Sequence, residues 1–300
     1  MLSSIPFLVV TFIVYGYFSE IRNLHGKCLM SYVFSFAILY ATSSIIELNN
    51  KDLLEQHTEI CTVLGYMWMT AILCCCFWSN VMCYDIWVTF KSKVKIDSNM
   101  IFIRYCLYAF GIPVIIETIF FILNHFELVP EKYNNKIGVN SCKIFTSQAK
   151  ELKAIYMFGP LAFCLIINIV IYTLTCVKIY KHNKVTVACH RRTSNRVFSK
   201  NNINFNDSSL YLRLAIVMGI HWIIEVSSNL IGDPRLYFVA FVFFNMQGPI
   251  IFVTFVCNSK FKYFLMKRFN KNNKFASRDD IRDDDADDAN AQIFAYLGFL

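Results

Sequence analysis

The side chains able to do chemistry in this chain are polar residues set within long apolar stretches. Asp85, Glu117, His221, Glu225 and Gln247 all lie inside such stretches. Ionisable residues at membrane depth are costly, so they usually face a protein interior and mark ligand sites, proton paths or switches. No Gly-rich phosphate loop, nucleophile elbow or His-Glu-x-x-His sequence accompanies them. The pattern favours binding or signalling and predicts neither enzymatic activity nor a cofactor.

Four of these residues each have a functional and a structural interpretation. Asp85 is either a lock that restrains the inner helix ends or an interfacial residue that reaches water. His221 and Glu225 are four residues apart and share a helix face, so they are either ligand-pocket candidates or a pair that satisfies itself. Glu117 is a third pocket candidate with the same two interpretations.

Gln247 and Gly248 lie together in the middle of the last apolar stretch. Small residues let membrane helices approach closely, so packing alone would explain the glycine. The glutamine needs a partner, because burying an unpaired amide costs about 1–3 kcal/mol. We expect a hinge at Gly248. Pro113, which has no N–H to donate, predicts a kink in the fourth stretch.

Seven apolar stretches must position these residues. A bilayer core of roughly 30 Å needs about 20 mostly apolar residues to be crossed as a helix. The chain is 56% hydrophobic and only 17% charged. An all-α membrane protein is therefore expected, a seven-transmembrane helix bundle with spans near residues 3–20, 28–47, 60–90, 101–124, 153–177, 210–231 and 236–258. The first stretch is short enough to pass for a signal peptide, but no small-x-small cleavage site precedes Glu20.

Successive connections between the apolar stretches are alternately rich and poor in Lys and Arg. Counted after the first span, alternate connections and the tail hold 20 of them against 6 in the intervening loops. Cytoplasmic loops carry the excess of positive charge. The N-terminus is therefore expected outside and the C-terminus inside, in the plasma membrane. The net charge of +8 reflects this topology and predicts no nucleic-acid partner.

The segments that do not span also have distinctive compositions. The loop 178–209 is basic and hydrophilic, which predicts a flexible segment that contacts anionic lipid or a cytosolic protein. Residues 259–268 alternate basic and apolar positions, which predicts a short amphipathic helix at the membrane surface. We therefore expect a membrane domain over 1–268. Seven aspartates within 279–288 predict that 269–300 is a disordered acidic cytoplasmic tail.

Most of the twelve cysteines fall within the apolar stretches, where free cysteine behaves as a small hydrophobe. No zinc-type spacing of cysteine pairs is found, so no metal site is expected. Only Cys61 and Cys142 fall on the predicted outer, oxidising side. A disulfide between them would tie the second outer loop over the third span.

Several motifs occur in a fixed order along the chain: Arg22–Cys28, Phe77–Val81, Tyr108–Pro113, Met218–Trp222 and Asn245–Val253. In that order they resemble the secretin-like class of G-protein-coupled receptors, and within it the insect Methuselah-like group, over roughly residues 20–265. The fourth-helix motif has Phe110 where the class has tryptophan. The group's large extracellular domain is missing from these 300 residues, which predicts a truncated gene model or a partial receptor.

The resemblance also points to switch residues. Met82 stands where the class usually carries a third-helix glutamate, and Asp85 is the nearest carboxylate, about one turn closer to the cytosol. With His25 it is a candidate for the class's polar lock. The sixth-helix proline is Ile216 here, so Gly219 is the expected weak point of that helix.

The resemblance implies a receptor that passes an extracellular signal to a cytosolic heterotrimeric G protein. The ligand is unknown, with a peptide or a small amine as candidates. The expected G-protein contacts are basic residues of the inner loops and tail: Lys91, Lys93, Arg191, Arg192, Arg196 and Lys260. The alternative is a transporter or channel with seven spans, although such proteins usually show internal repeats and none is visible here.

Overall fold

A computed structural model of the chain describes residues 2–18, 22–91, 98–128, 142, 157–190, 220–228 and 231–257. Every regular element in these ranges is helical. The expected all-α class is confirmed, as follows physically for long apolar runs, since a helix satisfies the backbone groups within the run itself.

The helices follow the apolar stretches in order. A short 3-10 turn (Leu2–Ser4) leads into α1 (Ile5–Tyr17). Next come two long helices, α2 (Leu24–Gln56) and α3 (Thr58–Lys91). The fourth stretch is divided into α4 (Ser98–Cys106), one π turn (Leu107–Gly111) and α5 (Ile112–His125). The last three are α6 (Gly159–His190), α7 (220–228) and α8 (Pro234–Phe255).

Four helical segments in the described ranges are long and apolar enough to cross a bilayer. They are Leu24–Asn49, Thr58–Val88, Asn99–His125 and Pro234–Phe255. Two further apolar helices are shorter, Ile5–Tyr17 and Gly159–Thr175. The structure thus shows a helical membrane protein, and four of the seven expected spans reach spanning length in it.

Apolar residues cover the outer surface, as in a protein surrounded by lipid. Phe238 is 69% exposed and Ile166 is 62% exposed. Polar side chains lie inside, where the amide of Asn168 donates to the Ser79 hydroxyl at 3.2 Å. This distribution is the reverse of a soluble protein, in which exposed apolar patches of this extent are rare.

Helix α3 occupies the centre of the described bundle. It packs against α2 along much of its length, and also against α5 and α6. Its Trp78 is completely buried, with its ring 5.3 Å from that of Phe110. Helix α1 packs against α2 and α8.

Local sequence signals explain where several helices begin. Asn23 caps α2, because its side-chain oxygen accepts the Gly26 N–H at 2.8 Å. Asp233 caps α8 in the same way, accepting the Arg235 N–H at 2.8 Å. The π turn at Leu107–Gly111 ends two residues before Pro113, which cannot donate to the carbonyl four residues earlier. The regular α-helical hydrogen bonding of the fourth stretch is therefore interrupted next to Pro113.

Two helices run past the predicted ends of their spans. Helix α2 continues from residue 47 to Gln56, with a kink at Asn49, and α6 continues to His190. Residues 178–190 were therefore wrongly expected to form a flexible loop. Hydropathy marks where a helix leaves lipid, but polar residues with ordinary helix propensity can prolong it into water.

Candidate functional site

A contact between an imidazole and a carboxylate joins the beginning of α2 to the last part of α3. The Nδ1 atom of His25 contacts the Asp85 carboxylate, and Asp85 is only 3% exposed. The Tyr105 hydroxyl, from α4, donates to the other carboxylate oxygen at 3.2 Å. Three helices therefore meet at one buried carboxylate. In this structure Asp85 is buried among these helices and is not exposed at a surface.

A second contact beside this cluster ties α2 to α4. The Lys27 ammonium donates to the Asn99 side-chain oxygen at 2.8 Å, and it lies 5.7 Å from the centre of the Phe102 ring. Lys27 follows His25 by two residues, so both contacts depend on how the capped first turn of α2 is placed. The cluster is a non-covalent clasp at one end of α2, α3 and α4.

The Gln247–Gly248 segment of α8 packs against α2 and the start of α1. Gln247 is 1% exposed, and its amide donates to the Tyr32 hydroxyl at 3.5 Å. A Cβ added at Gly248 would lie 2.7 Å from the Ser4 carbonyl oxygen. Only glycine allows the two backbones to approach this closely.

Two hydroxyl groups donate to backbone carbonyls of α8 just before Pro249. The proline has no N–H for the carbonyl of Asn245, four residues earlier, and the Ser4 hydroxyl donates to that carbonyl. The Tyr40 hydroxyl donates to the neighbouring carbonyl of Phe244. Side chains from α2 and from the turn before α1 thus replace or reinforce backbone hydrogen bonds beside Pro249 in α8.

Glu117 on α5 lines a cavity of about 490 Å³ between α2, α3 and α5. The cavity is mostly apolar, and Phe34, Met67 and Phe121 are among its walls. Glu117 is 4% exposed, and neither carboxylate oxygen has a hydrogen-bond partner among the described residues. A ligand group that donates a hydrogen bond would satisfy it.

His221 and Glu225 do not form the self-satisfying pair that their spacing suggests. His221 is 1% exposed, and within the described ranges neither of its ring nitrogens has a hydrogen-bond partner. Its ring lies 5.1 Å from that of Trp222 and 5.6 Å from that of Phe244. Neither His221 nor Glu225 lines the Glu117 cavity. The three pocket candidates therefore do not form one site.

The expected disulfide between Cys61 and Cys142 is present. Both cysteines are completely buried, and Cys61 lies in the first turn of α3. Cys74, Cys75 and Cys76 are free and buried, as expected for cysteines that act as small hydrophobes.

Several predicted residues lie outside the described residues. Lys91 is the last residue of α3. Neither the surface helix expected over 259–268 nor the tail 269–300 is described, and the same holds for Gly219, Lys93, Arg191, Arg192, Arg196 and Lys260.

Comparison with known families agrees with this helical arrangement. The sequence profile for "7 transmembrane receptor (Secretin family)" matches residues 1–259. The chain belongs to this family. The His25–Asp85–Tyr105 cluster and the Cys61–Cys142 disulfide therefore lie in the membrane domain of a secretin-family chain.

Curated relatives of this secretin-family chain are Methuselah-like receptors of fruit flies. "G-protein coupled receptor Mth2" of Drosophila yakuba is 27% identical over 89% of the chain and 50% of that protein. "Probable G-protein coupled receptor Mth-like 4" of Drosophila melanogaster is 29% identical over 83% and 48%. "G-protein coupled receptor Mth" of the same species is 26% identical over 85% and 49%. The chain spans about half the length of the curated relatives it matches.

Several residues of this secretin-family chain that hydrogen-bond to the candidate polar groups could not be identified from the sequence. Nothing in the local sequence marks Tyr105, Tyr32 or Ser4 as a partner of these groups. Pro249 does carry a signal, since a proline within a helix frees a carbonyl that needs a donor. That signal predicts that a donor exists, but it does not say which helix supplies it.

Proposed function

We propose that this chain is the membrane part of a G-protein-coupled receptor that passes an extracellular signal to a cytosolic heterotrimeric G protein. The observation that carries the proposal is the buried His25–Asp85 pair with its Tyr105 hydrogen bond. A contact of this kind holds three helix ends together until something favours their separation. Family membership supports the receptor class.

In the proposed mechanism the clasp stabilises a resting state. A ligand that binds more tightly to the open state shifts the equilibrium toward it by that difference in affinity. The inner ends of the helices then separate, and the basic inner loops contact the G protein. The Gly248–Pro249 region of α8 serves as the hinge, since a helix bends most easily beside a proline.

The proposed orientation places the N-terminus outside the cell and the clasp at the cytosolic face of the plasma membrane. The excess of Lys and Arg in the connections on the clasp side supports this orientation. The Cys61–Cys142 disulfide supports it as well, because a structural disulfide is expected on the oxidising side.

Basal G-protein activation in cells tests the proposal without a known ligand. Asp85→Asn removes the charge that His25 contacts while keeping the shape of the side chain. If the change removes about 2 kcal/mol from the resting state, the rare active fraction rises roughly 30-fold. Tyr105→Phe removes only one hydrogen bond, so we expect a smaller increase. Activation is measured by heterotrimer dissociation at matched surface expression.

Glu47→Gln is the control. Glu47 is an exposed carboxylate farther along α2, so its neutralisation should leave basal activation unchanged. The proposal is wrong if cells expressing the chain and these variants at normal surface levels activate none of the G-protein classes. An Asp85→Asn variant with unchanged basal activation would remove the clasp from the mechanism.

A further inference from the structure

A second cavity opens between α1, α2 and α4, beside the clasp. Its volume is about 700 Å³. Arg22, just before α2, and Lys27, in the first turn of α2, lie on its wall. Phe34, seven residues after Lys27, is about 10 Å farther along the helix at 1.5 Å per residue. Basic side chains therefore lie at one end of the cavity.

Apart from Ser31, the rest of the wall is apolar. Aromatic rings come from each surrounding element: Phe12 from α1, Phe34 from α2, Phe102 from α4 and Phe110 from the π turn. Phe12 is 39% exposed and Phe34 is 48% exposed, so the wall opens toward the lipid-facing surface. A cavity with a basic end and an aromatic body matches an amphiphile with an acidic head.

The two cations are not neutralised by the described part of the protein. Lys27 contacts the neutral amide of Asn99 and the Phe102 ring, neither of which carries a negative charge. The nearby Asp85 carboxylate is paired with His25. No carboxylate is among the described residues that line the cavity. An acidic group placed here would gain charge-assisted hydrogen bonds from both side chains.

We propose that this cavity binds an acidic phospholipid, with the headgroup phosphate between Arg22 and Lys27 and an acyl chain along the aromatic wall. Basic pockets between membrane helices favour such headgroups, particularly in the cytoplasmic leaflet, where the proposed orientation puts this end of α2. A free phosphate would use the cations but leave the apolar wall empty. The walls therefore favour a lipid as the source of the acidic group.

The test measures lipid retention by the purified full chain in native mass spectrometry. Phosphatidylserine is the acidic probe and phosphatidylcholine the neutral one. Each basic residue near a membrane surface contributes about 1 kcal/mol, or roughly fivefold, to the binding of an acidic lipid, so Arg22→Gln with Lys27→Gln should weaken phosphatidylserine binding by roughly 30-fold. Phosphatidylcholine carries the same phosphate but no net charge, so its binding should fall much less. Arg22→Lys with Lys27→Arg retains both charges and should retain binding.

Two matched variants separate this site from general charge attraction. Arg104→Gln removes an exposed cation on α4 that does not line the cavity, so phosphatidylserine binding should remain. Met30→Trp fills the cavity without changing its charge and should weaken binding of the lipid. The thermal unfolding of each variant is measured first, so that a folding defect is not mistaken for lost binding.

Three outcomes would overturn the proposal. Equal losses in the Arg104 and the Arg22/Lys27 variants would show non-specific attraction to the basic surface. Retention of soluble glycerophosphoserine as strong as that of phosphatidylserine would show a phosphate site with no role for the apolar wall. Unchanged phosphatidylserine retention in the Met30→Trp variant would place the lipid elsewhere. None of these outcomes depends on G-protein coupling.

Discussion

The two ends of α3 are held in different ways. At the beginning of the helix Cys61 is bonded covalently to Cys142. Near its end, about 36 Å away at 1.5 Å per residue, Asp85 is held by the His25 contact and the Tyr105 hydrogen bond. The first attachment is permanent in an oxidising compartment, whereas the second can open and close at equilibrium.

This difference fits the proposed mechanism. There the disulfide-bonded end of α3 stays fixed, so that a rearrangement of the bundle takes place at the reversible end. A third case is Glu117 of α5, which faces a cavity beside α3. Its carboxylate is buried and has no hydrogen-bond partner in the described residues. The following variants test these differences, in order of decreasing expected effect.

Breaking the covalent end should have the largest effect. The disulfide joins cysteines 81 residues apart in sequence, and the chain-entropy model gives about 4.5 kcal/mol for a loop of this length. Cys142→Ser should therefore strongly lower surface expression and the temperature of thermal unfolding in detergent. Cys257→Ser, which removes an exposed free cysteine, is the control. Equal effects of the two changes would contradict a structural role for the bond.

Breaking the reversible end should cost less. Asp85→Ala leaves His25 without its carboxylate, and removing one partner of a buried pair costs about 3–5 kcal/mol. The His25 side chain is 18% exposed, so water offsets part of the loss and we expect about 2–3 kcal/mol. Thermal unfolding measures it. The double variant with His25→Ala should lose less than the sum of the single losses; additive losses would mean that the pair is not coupled.

The close approach at Gly248 should be next in size. Gly248→Ala places a Cβ 2.7 Å from the Ser4 carbonyl oxygen, and relieving such a clash costs about 1–3 kcal/mol. Gly111→Ala is a matched control, because a Cβ there meets nothing within 4 Å. We expect a lower unfolding temperature for the first variant and no loss for the second. Similar behaviour of both would show that α1 and α8 are not in tight contact.

Glu117 should respond in the opposite direction to Asp85. Glu117→Leu removes a buried carboxyl group without a described partner, so stability should rise by about 1–2 kcal/mol. Glu117→Gln keeps a polar group and should give little gain. The unfolding temperature in detergent distinguishes the two. A marked loss of stability in Glu117→Leu would show that the carboxyl group already has a partner.

The sequence was a good guide to features that depend on local solvation. Apolar runs predicted the helices at the right places, since each run must bury its own backbone bonds in lipid. The Cys61–Cys142 bond could be predicted as well, because the proposed topology left only two cysteines on the oxidising side. The end of α6 was misplaced, because hydropathy reports the edge of the membrane and not the end of a helix.

Contacts between helices were predictable only in part. His25 and Asp85 were both candidates for a lock, but Tyr105 was not, and the His221–Glu225 pair suggested by spacing is not formed. Spacing fixes which residues share one face of one helix. It does not fix how that helix is rotated against its neighbours.

By itself, the sequence determined that the chain is a set of membrane helices, where most of them lie, and which polar residues they carry. The tertiary structure alone decided which of those polar groups meet. The Ser4 hydroxyl and the Asn245 carbonyl are 241 positions apart in the chain, and only the packing of α1 against α8 brings them together. The physical reason is that lipid acts on each helix separately, whereas pairing depends on the shapes of two helix surfaces at once.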